Sequence, residues 1–155
     1  MALFTPCLLE RWPVPGAGEG VRWSSSGQDV RRDVLRNLEW LFNTEQPTGL
    51  AQEGELPPAV ARSVLCFGVP CYSGKVQSAI DLEELAWEIR ERILAFEPRL
   101  ERAALSVAAV EPSARNRFNR LRFRIHGFIR AQPARIELLI QSELDMESGK
   151  AILQC

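Results

Sequence analysis

Between Asp29 and Phe96 apolar residues recur at helical spacing in separate stretches, and the last third of the chain switches to alternation. From Asp29, Val30, Val34, Leu38 and Leu41 fall on one side of a helix, with Arg31, Arg32, Arg36 and Glu39 elsewhere on the cylinder. Asn43-Thr44 and then Pro47-x-Gly49 stop that pattern. Leu56-Pro57-Pro58 opens a short predicted helix reaching Val64-Leu65, closed by the turn region Gly68…Pro70…Ser73-Gly74. The third predicted helix starts at Asp81, a good N-cap, with Glu84 three residues on as in a capping box. Leu82, Leu85, Ala86, Ile89, Ile93 and Phe96 form its apolar stripe, and Pro98 disfavours helical geometry at Glu97.

The remainder reads as strand. Leu105, Val107 and Ala109 alternate with smaller residues before Glu111-Pro112, and Arg120–His126 alternates without a break. A turn at Ala131–Ala134 leads to Ile136, Leu138, Ile140 and Leu144; after Ser148-Gly149, Ala151–Leu153 forms a last short strand. Helices first and strands afterwards predict an α+β fold, about three helices packed on one face of a small, mainly antiparallel sheet of three to four strands. A hairpin closed at Ala131–Ala134 opposes Ile129 with Ile136, Ile125 with Ile140 and Leu121 with Leu144, on the face the helices cover. The other face then carries Arg124 opposite Gln141, Arg122 opposite Glu143 and Arg120 opposite Asp145. A one-residue slip would set arginines against apolar partners. Phe128 and Leu139 also fall on this outer face beside His126, which calls for a cover: the N-terminal Leu8-Leu9-Trp12 or a docking partner.

Residues 13–28 are rich in Pro, Gly and Ser and carry no periodicity, so 1–28 is expected to be a largely flexible segment and 29–155 a single domain. With 155 residues the chain can bury roughly 70% of its unfolded surface, enough for a core. Nineteen basic and twenty acidic residues give a net charge of −1, which argues against a polyanion-coating protein. The N-terminus has no basic region followed by a long apolar core, and no apolar run approaches the ~20 residues a membrane span needs. A cytoplasmic protein without membrane insertion is expected, with Cys7, Cys66, Cys71 and Cys155 as reduced thiols.

Chemistry-bearing residues are few. His126, the sole imidazole, sits mid-strand with no G-x-S-x-G elbow in the chain, and Gly16-x-Gly18-x-Gly20 lacks the strand and the Lys-Ser/Thr of a phosphate loop. Cys66 and Cys71 lack further zinc ligands at workable spacing. Glu97, Glu101 and Glu111 are the nearest candidates for a glycosidase pair, which needs carboxyls about 5–9.5 Å apart across a cleft. No catalytic residue, metal or cofactor is therefore expected. Two constellations remain. Arg115 to Arg135 holds seven arginines and no acidic residue, readable as a nucleic-acid surface, or as a face balanced by Glu137, Glu143, Asp145 and Glu147 or by a protein partner. Glu97-Pro98-Arg99 is a stiff corner after a helix that could offer a carboxylate and a guanidinium to two different partners.

Several pieces, in order, resemble one family: LLERW at 8–12, VLRNLEWLFNT at 34–44, SVLCFGVPCYSG at 63–74, AI at 79–80, FEPRL at 96–100, LRFRIHGFI at 121–129 and ELLIQSELDMESGKAIL at 137–153. Together they resemble the TssE-type baseplate subunits of type VI secretion systems, relatives of a contractile-phage wedge protein once described as a lysozyme. Cys66-Phe67 and Cys71-Tyr72 depart from the more polar residues often found there. The resemblance implies a non-enzymatic wedge subunit bound to TssF and TssG, with TssK in the same assembly and the sheath proteins TssB and TssC adjacent. It implies that Glu97, Pro98 and Arg99 pack on the wedge's helical core bundle, and that the sheet templates sheath growth. In that setting Glu97 reads as a salt-bridging corner rather than a general acid. The partner-binding expectation covers Glu97, Pro98, Arg99, Arg120, Arg122, Arg124, His126, Phe128 and Leu139; a nucleic-acid module built on Arg115–Arg135 is the alternative.

Overall fold

The computed structural model describes residues 27–47, 56–71, 80–110, 120–131 and 134–154. Helix α1 runs Gly27–Phe42, α2 Pro58–Ala61 and α3 Leu82–Phe96; strands are β1 Ser106–Val110, β2 Arg120–Ile129, β3 Ile136–Asp145 and β4 Ala151–Gln154. The four strands form one antiparallel sheet in the order β1-β2-β3-β4. This is the predicted α+β arrangement, with α3 lying over β1 and α1 over β3 and β4.

The helices form where their apolar stripes can be buried. Val30, Val34, Leu38, Leu41 and Phe42 of α1 and Leu85, Ala86, Ile89 and Ile93 of α3 enter one core with Leu121, Phe123, Ile125, Ile129, Leu138, Ile140 and Leu144. Asp81 caps α3: its Oδ1 accepts from the amides of Glu83 at 2.9 Å and Glu84 at 3.2 Å. The helix ends at Phe96, where the following Glu97-Pro98 leaves helical geometry (φ −123°, ψ 79° at Glu97). Helix α1 begins at Gly27, ahead of the first apolar stripe residue, and its Cβ-less backbone sits against Ile136, the first residue of β3.

The predicted helix over 56–65 is instead two pieces. After the single turn of α2, Ser63 donates from both its amide (2.9 Å) and its hydroxyl (2.7 Å) to the Val60 carbonyl, and the chain tightens into a 3-10 turn at Val64–Cys66. Only Cys66 of that turn is buried; Val64 and Leu65 face outward. The next residues join the end of α1 as a short parallel bridge, Glu45 beside Val69, with Gln46 N–H on Val69 O at 2.9 Å and Val69 N–H on Thr44 O at 3.0 Å. Gly68 permits this approach. Its φ is +119°, and a Cβ there would lie 2.4 Å from Thr44 O.

Every predicted hairpin pair is present: Ile129–Ile136, Ile125–Ile140, Leu121–Leu144, Arg124–Gln141, Arg122–Glu143 and Arg120–Asp145. Leu105 proves to belong to a turn before β1 rather than to the strand. Its amide bonds Glu101 O, and its carbonyl accepts from Arg90 Nε at 3.0 Å. Opposite it, Gly127 leaves room for the turn, since a Cβ there would meet Leu105 Cδ1 at 3.1 Å. The Leu8-Leu9-Trp12 cluster, Glu111, Arg115 and Arg117 lie outside the described residues.

Gly68→Ala is expected to cost at least about 2 kcal/mol, since the left-handed backbone alone disfavours a side chain by roughly 1–2 and the Thr44 carbonyl must also move. Equilibrium urea unfolding of the variant measures it.

Candidate docking surface

The corner after α3 is built around one buried carboxylate. Glu97 is 2% exposed, and its two oxygens accept from Arg99 Nε and Nη2, each at 2.7 Å, in the fork geometry that a guanidinium favours. The Arg99 amide (3.3 Å) and Asn37 Nδ2 of α1 (3.3 Å) also point at it. The expectation of two charges held out to separate partners is therefore corrected: the corner turns them onto each other. The physical reason is burial, because a carboxylate at 2% exposure needs its charge matched within the fold. Pro98 is exposed at the tip, and the Arg99 side chain keeps 22% of its surface.

The corner is also tied to the sheet. Leu100 bridges Ile129, Arg130 N–H donates to Arg99 O at 2.8 Å, and Glu101 N–H donates to Phe128 O at 2.9 Å. Arg90 donates to the carbonyls of Leu105 and Arg102, each at 3.0 Å, which holds the next turn against α3. Phe67 meets Phe96 edge-on at 5.2 Å, so the Gly68 segment packs on the same helix end.

On the outer face the arginine stripe is partly spent inside the protein. Arg120 and Arg122 both bind Glu143, at 2.5 and 2.9 Å, so Arg120 reaches past its register partner Asp145. Asp145 instead accepts from the amides of Glu147 (2.8 Å) and Ser148 (3.2 Å), shaping the β3–β4 turn. Arg135 binds Glu101 at 3.2 Å and lies 5.6 Å from the Phe128 ring centre. His126 Nε2 is 3.0 Å from Glu137 Oε1, and its ring packs edge-on to Phe128 at 5.5 Å. Arg124 is exposed, and Leu139 remains 46% exposed.

The structure thus brings the two predicted groups together: the Glu97–Arg99 corner meets the outer face at its Phe128 end, through Arg130, Glu101 and Arg135. Arg120 and Arg122 sit toward the other end of the strand. Of the three carboxylates considered for hydrolysis, Glu97 is buried on Arg99 and Glu101 is paired with Arg135, while Glu111 lies outside the described residues. Sequence reasoning missed Asn37, Asn43 and Arg90. A polar residue between Val34 and Leu38 was the one signal for Asn37; Asn43 and Arg90 act on backbone far away in sequence, and nothing local marks them.

A two-layer domain whose charged groups mostly stiffen its own corner and sheet has the character of a structural part. The chain belongs to the family described as baseplate wedge protein gp25, whose model matches residues 28–134, more than half of its length. Members of this family are structural parts of phage-type contractile baseplates, which places the chain among other baseplate or tail proteins. Neither the curated proteins nor the solved structures compared with the chain include a match. No described helix is long and apolar enough to cross a membrane.

Two outcomes follow from these contacts. Arg99→Ala should destabilise the fold by about 3–5 kcal/mol, because it leaves the buried Glu97 carboxylate unpaired, with Glu97→Gln milder because it removes that charge and keeps one acceptor oxygen; denaturant titration of both variants reads this. Hydrogen bonds and charge from Arg120 and Arg122 hold the Glu143 carboxyl below the usual carboxylate range, and the turn amides of Ser148 and Glu147 do the same for Asp145. Groups depressed in the folded state stabilise it above their unfolded values, about pH 4, and that stabilisation is lost as pH falls through the folded values. Glu143→Gln should therefore be less stable than the parent at pH 7, with the gap narrowing in urea titrations as the pH falls below the usual carboxylate range.

Proposed function

We propose that this chain is the wedge subunit of a type VI secretion baseplate, docking onto TssF and TssG near TssK and templating assembly of the TssB–TssC sheath in the cytoplasm. The contiguity of the corner with the Phe128 end of the outer face carries this reading. One rigid, internally neutralised corner and one strand face form a single surface that a partner can meet without ordering it first. The ordered run of family-like pieces from Val34 to Leu153 supports the type VI assignment. In this reading Glu97 acts by holding Arg99 and Pro98 in place. Pro98 and Arg99 meet the helical core of the wedge, while Arg120, Arg122, Arg124, His126, Phe128 and Leu139 present the sheet face.

The role is that of a non-enzymatic part. The purified protein should release no sugar from peptidoglycan; hydrolysis that survives repurification and vanishes in Glu101→Gln would overturn that part of the reading. The nucleic-acid alternative is disfavoured because Arg120, Arg122 and Arg135 are already bound to carboxylates.

The deciding experiment is co-purification with TssF and TssG. The parent chain should be retained with both; Arg99→Ala should weaken retention at least about tenfold, since losing a desolvated charged contact costs about 2–5 kcal/mol, and because it also leaves the buried Glu97 unpaired, denaturant titration checks that the variant is folded under the pulldown conditions. Arg124→Glu should act in the same direction with little change in stability, because surface changes usually stay within about 0.5 kcal/mol. Failure of the parent chain to co-purify would sink the assignment.

A further inference from the structure

On the outer face of β2, Arg120 and Arg122 share the Glu143 carboxylate, and His126 lies 3.0 Å from Glu137. Arg124, midway along the same face, is exposed and has no carboxylate partner among the described residues. The register gives the reason. Across the sheet its row reads Ala108, Arg124, Gln141, Gln154, so a carboxamide stands where the next row places Glu143. Ala108 offers only a methyl group from β1, which leaves the guanidinium uncovered on that side as well.

Arg124, Gln141 and Gln154 line a cavity of about 250 Å³, walled by Val110 and by the Arg122–Glu143 pair. The one carboxylate in that lining, Glu143, is already held by Arg120 and Arg122. What remains is an unmatched positive charge with the planar N–H fork of Arg124 and the NH2 groups of two carboxamides beside it. That donor set matches a carboxylate: the fork takes both oxygens, and the carboxamides reach the lone pairs left over. The other unmatched cations are placed differently. Lys150 lines a cavity too, but one whose lining already includes Glu45 and Asp145, while Arg31, Arg62, Arg92 and Arg130 line neither. A polynucleotide would need a run of unmatched cations along its backbone. Here Arg120 and Arg122 are matched from within, so the site suits a single anionic group.

We infer that this cavity receives one aspartate or glutamate side chain of a partner protein, with Arg124 as its fork and Gln141 and Gln154 as flanking donors. The inference rests on the wedge-subunit reading and names what one contact of that surface recognises. The test is co-purification with TssF and TssG, read beside urea unfolding of each variant. Arg124→Gln should weaken retention at least about tenfold, with an unchanged unfolding midpoint; Arg124→Lys, which keeps the charge without the fork, should fall between it and the parent. Gln141→Glu is the sharper variant. It sets a carboxylate directly opposite Arg124, so the fold should be as stable as the parent or more so, yet retention should drop because the site is filled from within. Arg124→Glu should be rescued by replacing one acidic residue of TssF or TssG with arginine. A parent chain that is not retained sinks the wedge reading and this contact with it. A retained parent whose Arg124→Gln and Gln141→Glu variants bind equally well overturns the inference alone, as does rescue of Arg124→Glu only by changes at neutral or basic positions of the partner.

Discussion

The buried Glu97–Arg99 pair is the joint on which the rest of this fold turns. Three parts meet there: α1 through Asn37, the end of α3, and the β2 strand through the Arg99 carbonyl. Helix α3 must stop at Phe96 because of Pro98, and the chain must then reverse onto the sheet within a few residues. A carboxylate that binds the guanidinium two residues later closes that reversal into a ring of hydrogen bonds. Replacing Arg99 leaves the Glu97 carboxylate charged and buried, so the corner depends on its pair in a way an apolar turn would not.

From that joint the sheet takes its position. Leu100 pairs with Ile129 before the chain swings out through the turn held by Arg90, and Gly127 supplies the clearance the turn needs. The hairpin register then follows from the alternation of β2 and β3, and its outer face has one carboxylate, Glu143, serving two arginines. Charge on this face is thereby organised lengthwise: settled at the Arg120 end, less so toward Arg124 and Arg130.

Much of this was legible in the sequence, and the reason is periodicity. Alternation across two strands admits one register that keeps Ile125 and Ile140 inside, so each hairpin pair could be read without coordinates. The Asp81 cap and the Pro98 stop are local signals and were legible for the same reason. What was not legible depends on distance in the chain. The Glu97-Pro98-Arg99 triplet looks exposed when read alone, and only the packing of Asn37 sixty residues earlier shows that it is buried. Arg120 binds Glu143 rather than its opposite number Asp145, whose Oδ1 takes the two turn amides, a division of partners that no strand pattern encodes. The helix at 56–65 failed for a related reason: the Ser63 hydroxyl gave the Val60 carbonyl a better local partner than a continued helix.

Asn43 closes the account at the far edge of the sheet. Its side-chain amide donates to Ala151 O and accepts from Ala151 N–H, both at 3.0 Å, so the first residue of β4 has its two main-chain groups already engaged by the residue that follows α1. The amide mimics one rung of a neighbouring strand. For any strand arriving along β4 this rung is an end stop: alignment is phased from the residues beyond Ala151, and sliding toward the β3–β4 turn is blocked. An open edge has thereby acquired a fixed origin, set by one side chain from another layer of the molecule.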